Sequence, residues 1–167
     1  MRRKAAVKFG VSLAICMLAG YVNSLFVLPE IPTWFAALEK PAFVPPDTYF
    51  VPIGLLVYAL FGCVLFMIWK ADIQNNHDKT FCLSLFILSL LLNIGWCFLF
   101  FALKSPFTGL MISVLTVALI IATMVQALKV SFGASLLLFP LVIIIFMVTY
   151  VNYVIVLSNP ALTMMPL

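Results

Sequence analysis

The chain has 167 residues, of which 66% are hydrophobic and only 8% are charged, and its formal net charge is +4. A soluble domain carries about 25% charged residues and could not bury so much apolar surface, so a water-soluble protein is excluded. No basic run is interleaved with aromatic residues, so the positive charge indicates contact with an anionic lipid bilayer, and no nucleic-acid partner is expected.

Five uncharged apolar stretches follow one another along the chain, each about 20 residues long and therefore able to cross a hydrocarbon core of ~30 Å. They are continuous rather than alternating, which predicts helices, because lipid offers the backbone no hydrogen-bond partners. The predicted helices cover approximately residues 9–28, 50–69, 81–103, 108–128 and 133–158. Residues 1–167 are thus predicted to form one all-α membrane domain, a five-transmembrane-helix bundle with a structured lid loop at 29–49 between its first two helices.

The first span follows Arg2, Arg3 and Lys4, but its apolar stretch exceeds the roughly 7 to 15 residues of a signal peptide, so we expect a retained helix. Seven basic residues lie on the N-terminal side of the membrane in this arrangement, and two, Lys40 and Lys104, lie on the other. The bias predicts an integral protein of the cell membrane, with its N-terminus in the cytoplasm and its C-terminus outside.

Small residues in the first two spans predict close helix packing. The first span carries them at every fourth position, as Ser12, Cys16, Gly20 and Ser24. The second span places Gly54 and Gly62 on either side of Tyr58 at the same spacing. A neighbouring helix or a bound flat molecule could occupy the gaps beside the tyrosine, and the sequence leaves both open.

Polar side chains within the spans are costly in lipid and are expected to face the bundle interior. They include Asn23, Asn93, Thr116, Thr123, Gln126 and Asn152. No charged residue lies in the middle of a span, which weighs against a pump or an ion carrier and favours a chamber for an apolar or amphipathic guest. The four cysteines and the single histidine have no metal-ligand spacing and no catalytic set lies at membrane depth, so no metal, catalytic residue or required cofactor is predicted.

Pro140 lies within the fifth apolar stretch, and its effect depends on where that helix begins. If the helix begins near Ser135, the proline lies in the first two turns and costs little. If it begins at Ser131, a kink is expected. The sequence alone does not decide between these starts.

The segment from Thr33 to Phe50 combines five aromatic residues with three prolines in eighteen positions. Prolines hold the backbone extended and reduce the entropy lost on ordering it, while the aromatic rings supply apolar surface at the membrane boundary. The segment therefore predicts a stiff apolar lid over the outer end of the bundle. An aromatic belt that merely anchors the helices is the alternative, but a belt does not require a rigid loop. The predicted lid residues are Leu38, Pro41, Pro45 and Pro46.

Several motifs of this chain resemble those of the TspO/MBR family, whose members are also called translocator proteins, peripheral-type benzodiazepine receptors or tryptophan-rich sensory proteins. The lid has Trp34-Phe35, Leu38, Lys40-Pro41, Phe43 and Pro45-Pro46 in the family register, and the second span continues with Phe50, Pro52, Tyr58, Leu60 and Gly62. The third span has Leu92-Asn93, Trp96 and Phe100-Phe101, and the fifth has Pro140 and then Asn152-Tyr153. Their order and spacing identify the chain as a member of the family over about residues 10–160.

The resemblance implies a five-helix bundle, often a homodimer, in which the lid closes a pocket near the outer leaflet. Family members bind porphyrins and other tetrapyrroles, sterols, and synthetic isoquinoline or benzodiazepine-type ligands. Transferred by motif, the ligand-binding residues would be Trp34, Phe43, Phe50, Gly54, Tyr58, Asn93, Trp96, Ile144, Met147 and Val148. Aromatic faces would stack on a planar guest, and the Asn93 amide would bond its polar edge.

The chain departs from the family at the tryptophans of the pocket. Gly54 and Ile144 stand where the family usually has tryptophan in helices two and five, and Phe107 lies near the start of helix four, where many members have another. Porphyrin breakdown in the family is linked to the first two of these tryptophans, so the resemblance does not carry that activity over. No basic residue follows Tyr153, so the proposed cholesterol motif of the family is incomplete.

The resulting hypothesis is a membrane ligand-binding protein, a sensor or scavenger, for porphyrin-like tetrapyrroles or other apolar planar small molecules. The first alternative is a transporter of such molecules across or within the membrane, although no inverted repeat or discontinuous helix pair supports alternating access. The second is a porphyrin-degrading enzyme, for which the sequence offers no acid–base or nucleophile set.

Overall fold

The computed structural model describes residues 2–44 and 46–160, and within these ranges every regular element is helical. The long helices are α1 (Arg2–Val27), α2 (Phe50–Lys70), α3 (Asn76–Cys97), α4 (Pro106–Ala127) and α5 (Phe132–Ser158). A π-helical turn, Phe98–Ala102, prolongs α3, and the lid contains a π-helical turn at Ile31–Phe35 and a 3-10 turn at Asp47–Tyr49. Over this part of the chain five helices are long and apolar enough to cross a membrane, which confirms the predicted five-helix bundle.

Two helices begin well before the apolar stretches that predicted them, and α4 and α5 begin within two residues of their predicted starts. α1 begins at Arg2 and α3 at Asn76, in both cases ahead of the predicted start. Hydropathy marks only the part of a helix that lies in hydrocarbon, whereas the backbone can stay helical in the polar interface. At the start of α3 the Asn75 side chain caps the helix by accepting a hydrogen bond from the His77 N–H at 3.1 Å. The polar residues before these spans therefore belong to the helices.

The observed start of α5 fixes the position of Pro140 within it. The Ser131 hydroxyl caps the helix by accepting a hydrogen bond from the Ala134 N–H at 3.4 Å, and α5 begins at Phe132. Pro140 therefore lies in the third turn, where it removes one intrahelical hydrogen bond. Of the two starts that the sequence left open, the earlier one is observed, and it is the one for which a bend is expected.

The hydrophobic core runs along α2, which contacts α1, α3 and α5, while α4 packs between α3 and α5. Phe61 of α2 and Phe86 of α3 are almost completely buried and meet edge to face with ring centroids 5.8 Å apart. The buried hydroxyls of Ser89 and Thr123 lie 3.2 Å apart and link α3 to α4. Close packing and a few interhelical hydrogen bonds thus hold the helices together, as expected in lipid.

α1 and α2 approach so closely that a side chain is excluded at two glycines. A Cβ atom at Gly20 would lie 2.6 Å from the ring of Tyr58, and one at Gly62 would lie 2.9 Å from the α1 backbone. Of the other small residues predicted on α1, Ser12 and Cys16 are fully buried and Ser24 is half-buried. At this contact the small residues admit a neighbouring helix, and the ring of Tyr58 fills the space beside Gly20.

Candidate functional site

Aromatic contacts anchor the lid on the end of the bundle where α1 ends and α2 begins. Trp34 is half-buried and meets Phe100 edge to face at 5.3 Å, and Phe35, only 3% exposed, meets Phe50 in the same way at 5.3 Å. Leu38, also buried, belongs to the same apolar cluster. Because its rings pack into the end of the bundle, the lid is part of the folded core rather than a free loop.

Polar contacts latch the lid at two further points. The Glu39 N–H donates to Asn159 Oδ1 at 3.2 Å, and Asn159 Nδ2 donates back to the Glu39 carbonyl oxygen at 3.0 Å. Glu30 forms an ion pair with Lys104, with nitrogen and oxygen 3.1 Å apart. The first contact ties the lid to the end of α5, and the second ties it to the turn that follows α3.

The lysines on the lid side are both engaged by groups of the protein. The Lys40 ammonium donates to the carbonyl oxygens of Phe35 and Ala36, the second at 3.3 Å, and lies 4.5 Å above the Phe35 ring. Lys104 is paired with Glu30. A guest carboxylate would therefore have to compete with these contacts for a cation.

Phe43 and the lid prolines lie at the rim rather than beneath the lid. Phe43 is 49% exposed and stacks on Tyr150 of α5, with ring centroids 5.7 Å apart and planes 20° apart. Pro41 is half-buried and Pro46 is exposed, whereas Pro45 lies outside the described residues. Phe43 thus meets α5 from the outside of the bundle and is not enclosed.

A chain of hydrogen bonds crosses the lid-end half of the bundle. Asn23 Nδ2 of α1 donates to the Tyr58 hydroxyl of α2, and that hydroxyl donates to Asn93 Oδ1 of α3 at 2.8 Å. Asn23 and Tyr58 are buried, and Asn93 is half-buried. The Oδ1 atom of Asn23 is enclosed and has no hydrogen-bond partner among the described residues. The Tyr58 hydroxyl thus joins three helices. The amides at the two ends of this hydrogen-bond chain, those of Asn23 and Asn93, each keep a polar atom that has no partner among the described residues.

A second buried amide, that of Asn152, holds Trp96 in place. With its amide oriented to satisfy every neighbour, Asn152 accepts from Trp96 Nε1 at 3.2 Å and from the Leu110 N–H at 2.9 Å, and donates to the Pro106 carbonyl at 3.1 Å. The Trp96 ring stacks on Phe100, with ring centroids 5.4 Å apart. The side chain of Asn152 thereby fixes the Trp96 ring and the first turn of α4 relative to α5.

Gly54 opens space beside the hydrogen-bonded tyrosine. It lies one turn before Tyr58 on the same face of α2. Apart from the adjacent backbone of α2 itself, a Cβ atom added to Gly54 would meet no atom of the described residues within 4 Å. The resemblance to the family predicts a tryptophan at this position. The glycine therefore leaves room where a large ring would otherwise stand.

The three α5 residues predicted to line the pocket are not equivalent. Ile144 and Val148 are half-buried, and Ile144 packs against the main hydrophobic core. Met147 is 46% exposed. Within the single chain, Met147 thus lies largely on the outer surface of the bundle.

The structure brings two groups of predicted residues together. Trp34 from the lid and Trp96 from α3 flank the ring of Phe100, and Tyr58 is hydrogen-bonded to Asn93. Trp96 and Asn93 lie one turn apart on α3, so the two groups are adjacent. The site at the lid end is therefore built mainly by α2, α3 and the lid.

Sequence reasoning did not assign site roles to several residues that the structure places there. They are Asn23, Phe100, Asn152 and Asn159. Asn23 and Asn152 were recognisable in the sequence as polar residues within spans, and Phe100 lies within a recognised motif. Asn159 had no such signal, because its contact with Glu39 spans 120 positions of the chain.

A cleft of about 300 Å³ lies at the opposite end of the bundle. It is lined by Phe66, Met67 and Lys70 of α2 and by Val130, Ser131 and Gly133 around the start of α5. None of the residues predicted to bind a guest belongs to it. It is a separate feature from the site beneath the lid.

The chemistry available at the lid end is apolar contact with a small number of hydrogen bonds. Within residues 2–44 and 46–160, no three His, Cys, Asp or Glu side chains lie close enough together to hold a metal ion. Aromatic rings and the partly accessible amide of Asn93 are the groups that a guest would meet. Such a lining suits a planar apolar molecule that carries a polar atom at one edge.

Comparison with known proteins places the same motifs in a family. A sequence model of the TspO/MBR family matches residues 12–157 of the chain. The chain is 30% identical to Tryptophan-rich protein TspO of Chlorobaculum tepidum, over 94% of this chain and 99% of that protein. It is 33% identical to the protein of the same name from Archaeoglobus fulgidus, over 92% and 97%. It is also 34% identical to Translocator protein of Sus scrofa, over 74% and 73%.

Proposed function

The chain belongs to the TspO/MBR family, and from this premise we propose that it is a membrane ligand-binding protein, a sensor or scavenger of porphyrin-like tetrapyrroles or other apolar planar molecules. The guest would lie in the outer half of the bundle, beneath the lid. The lid would face outward from the cell membrane, as the distribution of basic residues predicts. The protein would need no cofactor, since a tetrapyrrole would be its ligand, and two copies would form a homodimer.

The observation that carries the proposal is the half-buried group formed by Trp34, Trp96 and Asn93. Each of these side chains keeps accessible surface after the helices have packed. The Asn93 amide nitrogen also has no hydrogen-bond partner within the described part of the chain. An unpaired polar group is costly in an apolar environment, so a polar atom of a guest at this position would stabilise the protein. Apolar walls with one or two convergent polar groups are typical of small-molecule sites.

The space beside Gly54 supports a flat guest of some size. The helix has no side chain there, and the ring of Tyr58 one turn further along is fixed by two hydrogen bonds. A planar ring system could lie against this bare stretch of α2 and reach Asn93 with its edge.

Tryptophan fluorescence tests the proposal. Trp69 lies at the end of α2 far from the lid, so a Trp69→Phe protein reports only on Trp34 and Trp96. We expect protoporphyrin to quench this protein in nanodiscs with a saturable dependence on concentration. The matched control carries Trp34→Phe and Trp96→Phe, so that only Trp69 fluoresces, and it should show no saturable quenching. Equal quenching of the two proteins would contradict binding at the lid end.

Transport of such molecules across or within the membrane is the second candidate. It is favoured by the similarity, over 74% of the chain, to a protein named Translocator protein. Protoporphyrin uptake into proteoliposomes separates the candidates, because a carrier gives saturable flux whereas a sensor gives quenching without flux. Porphyrin breakdown is not part of the proposal, since Gly54 and Ile144 replace the tryptophans to which the resemblance links it.

A further inference from the structure

The direction of the hydrogen-bond chain through Tyr58 decides which group Asn93 offers to a guest. A hydroxyl donates one hydrogen bond, so Tyr58 can donate to Asn93 or to Asn23, but not to both. In one direction Asn23 Nδ2 donates to Tyr58, Tyr58 donates to Asn93 Oδ1, and Asn93 keeps its Nδ2 donors for a guest. In the reverse direction both amides are turned over, and Asn93 keeps its carbonyl oxygen instead.

The burial of Asn23 favours the first direction. Asn23 is 3% exposed and bonds only to Tyr58 among the described residues, so one of its two polar atoms is unpaired in either direction. In the first direction that atom is a carbonyl oxygen, and in the reverse it is a nitrogen with two N–H groups. Buried N–H groups without partners are rarer in proteins than buried carbonyl oxygens without partners. The structure has the first direction, with Asn23 Oδ1 as the unpaired atom.

We propose that Asn23, acting through Tyr58, holds the Asn93 amide with its N–H groups toward the guest, so that the site selects planar molecules presenting an uncharged hydrogen-bond acceptor. A carbonyl oxygen or an aromatic ring nitrogen would meet this requirement. A guest that presented an N–H or O–H group would place its donor against the Asn93 N–H groups and form no hydrogen bond with them. This inference rests on the proposed function, because it requires a guest beside Asn93.

The guest can reach the amide that Asn23 orients. The Asn93 side chain is half-buried, and its nitrogen is not among the enclosed atoms that lack a partner, so it retains accessible surface. Asn23 itself is enclosed and does not need to touch the guest. Asn23 is therefore a positioning residue, and Asn93 is the group that makes contact.

The charges around the site favour an uncharged acceptor over a carboxylate. Among the described residues, no charged side chain is hydrogen-bonded to Asn23, Tyr58 or Asn93. The two lysines of the lid side are engaged by Glu30 and by lid carbonyl oxygens. Burying a carboxylate without a cation is costly, so an ionised guest would have to keep its carboxylates in the water beyond the lid.

Three planar tricyclic probes of similar size test this selectivity. Acridine has a ring nitrogen that accepts, carbazole has a ring N–H that donates, and anthracene has neither. At pH 8, where acridine is uncharged, we expect the full-length Trp69→Phe protein to bind acridine about tenfold more tightly than carbazole, measured by quenching of Trp34 and Trp96. In an Asn23→Leu variant the two directions become comparable, so the ratio should fall to about twofold or less while anthracene binds as before.

The control is Ser12→Ala, because the Ser12 hydroxyl is likewise buried on α1 and has no partner among the described residues. The Ser12→Ala variant should still bind acridine about tenfold more tightly than carbazole. A ratio of this size corresponds to about one hydrogen bond, which carbazole fails to make. Tyr58→Phe interrupts the same chain at its middle and should lose the preference, which keeps the test valid if Asn23→Leu fails to fold.

Each outcome bears on a different claim. An equal loss of all three probes in the Asn23 and Tyr58 variants would mean a structural role only and would overturn the inference. A preference for acridine that survives both substitutions would overturn it as well. Saturable binding without any preference would leave the proposed function standing and refute the selectivity, whereas no saturable binding of any probe or of protoporphyrin would refute the proposed function itself.

Discussion

At the end of the bundle away from the lid, the side chains of Asp78, Gln126 and Lys79 are hydrogen-bonded to groups of the protein. At the lid end, Asn23 and Asn93 each keep a polar atom that has no partner among the described residues. Gln126 Nε2, at the end of α4, donates to Asp78 Oδ1 of α3 at 2.9 Å. Asn75 Nδ2 donates to the other carboxylate oxygen of Asp78 at 2.7 Å. The Lys79 ammonium donates to two carbonyl oxygens at the end of α2, at 2.5 and 3.1 Å.

The lid end uses the same kinds of side chain and leaves part of their capacity unused. Asn23 Oδ1 is enclosed without a partner, and Asn93 Nδ2 is accessible without one among the described residues. Gly54, one turn before Tyr58 on α2, adds open space at the same end. Buried polar groups are nearly always satisfied in folded proteins. Among the described residues, two enclosed side-chain atoms have no partner: Asn23 Oδ1, and the Ser12 hydroxyl nearer the middle of α1. In the proposed function the lid end receives the guest, whereas the hydrogen bonds at the opposite end join the helices.

Replacing Trp34 should give the largest effect, a loss of protoporphyrin affinity that is specific to the lid end. Trp34→Ala removes a ring that packs on Phe100 and would stack on a guest, so we expect protoporphyrin to bind about thirtyfold more weakly, a loss of about 2 kcal/mol. Titration in a Trp69→Phe background, where Trp96 is the one remaining tryptophan, measures this. The matched control is Trp69→Ala at the opposite end, which should leave the affinity unchanged. Similar losses of protoporphyrin affinity in Trp34→Ala and Trp69→Ala would contradict a binding site at the lid end.

Replacing Gln126 should affect stability and leave binding intact. Gln126→Leu removes a buried amide that bonds the Asp78 carboxylate and joins α4 to α3, so the free energy of unfolding should fall by about 1.5 kcal/mol. Reversible unfolding in mixed detergent micelles measures the loss. Thr80→Ala, at an exposed position one turn into α3, should change it by less than about 0.5 kcal/mol. A weakened protoporphyrin affinity in Gln126→Leu would argue against the division between the two ends.

The sequence predicted the helices well because their cause is local. An apolar stretch of membrane length must satisfy its backbone internally, whatever its neighbours are, and hydropathy alone reveals it. The lid was predictable for a similar reason, since aromatic residues and prolines occur together between Thr33 and Phe50. The starts of α1 and α3 were missed because hydropathy does not report the part of a helix that lies outside hydrocarbon.

The site was less predictable because its contacts depend on how the helices are rotated about their axes. Asn23 and Asn93 were both recognised as polar residues within spans, but nothing in the sequence shows that they share one tyrosine hydroxyl. Phe43 belongs to a recognised motif, yet the structure stacks it on Tyr150 at the exposed rim. Motifs identified which residues gather at the lid end, and only packing shows which of them are enclosed.

Releasing the lid latch should change the rate of guest release more than stability. Asn159→Ala removes both hydrogen bonds that tie the Glu39 backbone to the end of α5, so the lid should open more often. We expect protoporphyrin to dissociate about fivefold faster, equivalent to about 1 kcal/mol. Stopped-flow displacement measures the rate, with Ser158→Ala, at the neighbouring exposed position, as the control. An unchanged dissociation rate would show that the lid does not limit exit.

A pair of glycine substitutions should give the smallest effects and sharpen the contrast between packed and open space. Alanine is favoured over glycine within a helix by about 0.5–1 kcal/mol. Outside the backbone of α2, a Cβ atom at Gly54 meets no atom of the described part of the chain within 4 Å, so Gly54→Ala should raise the free energy of unfolding by about that amount. At Gly20 the same Cβ atom would lie 2.6 Å from the Tyr58 ring, so Gly20→Ala should lower it.

The two variants should also differ in binding. The methyl group at Gly54 fills little of the open space, so protoporphyrin affinity should change by about twofold at most, less than one methylene is usually worth in a pocket. The methyl group at Gly20 presses on the ring whose hydroxyl bonds Asn23 and Asn93, so affinity should fall together with stability. Equal destabilisation by both substitutions would mean that the space beside Gly54 is filled, and with it the room for a guest would be lost.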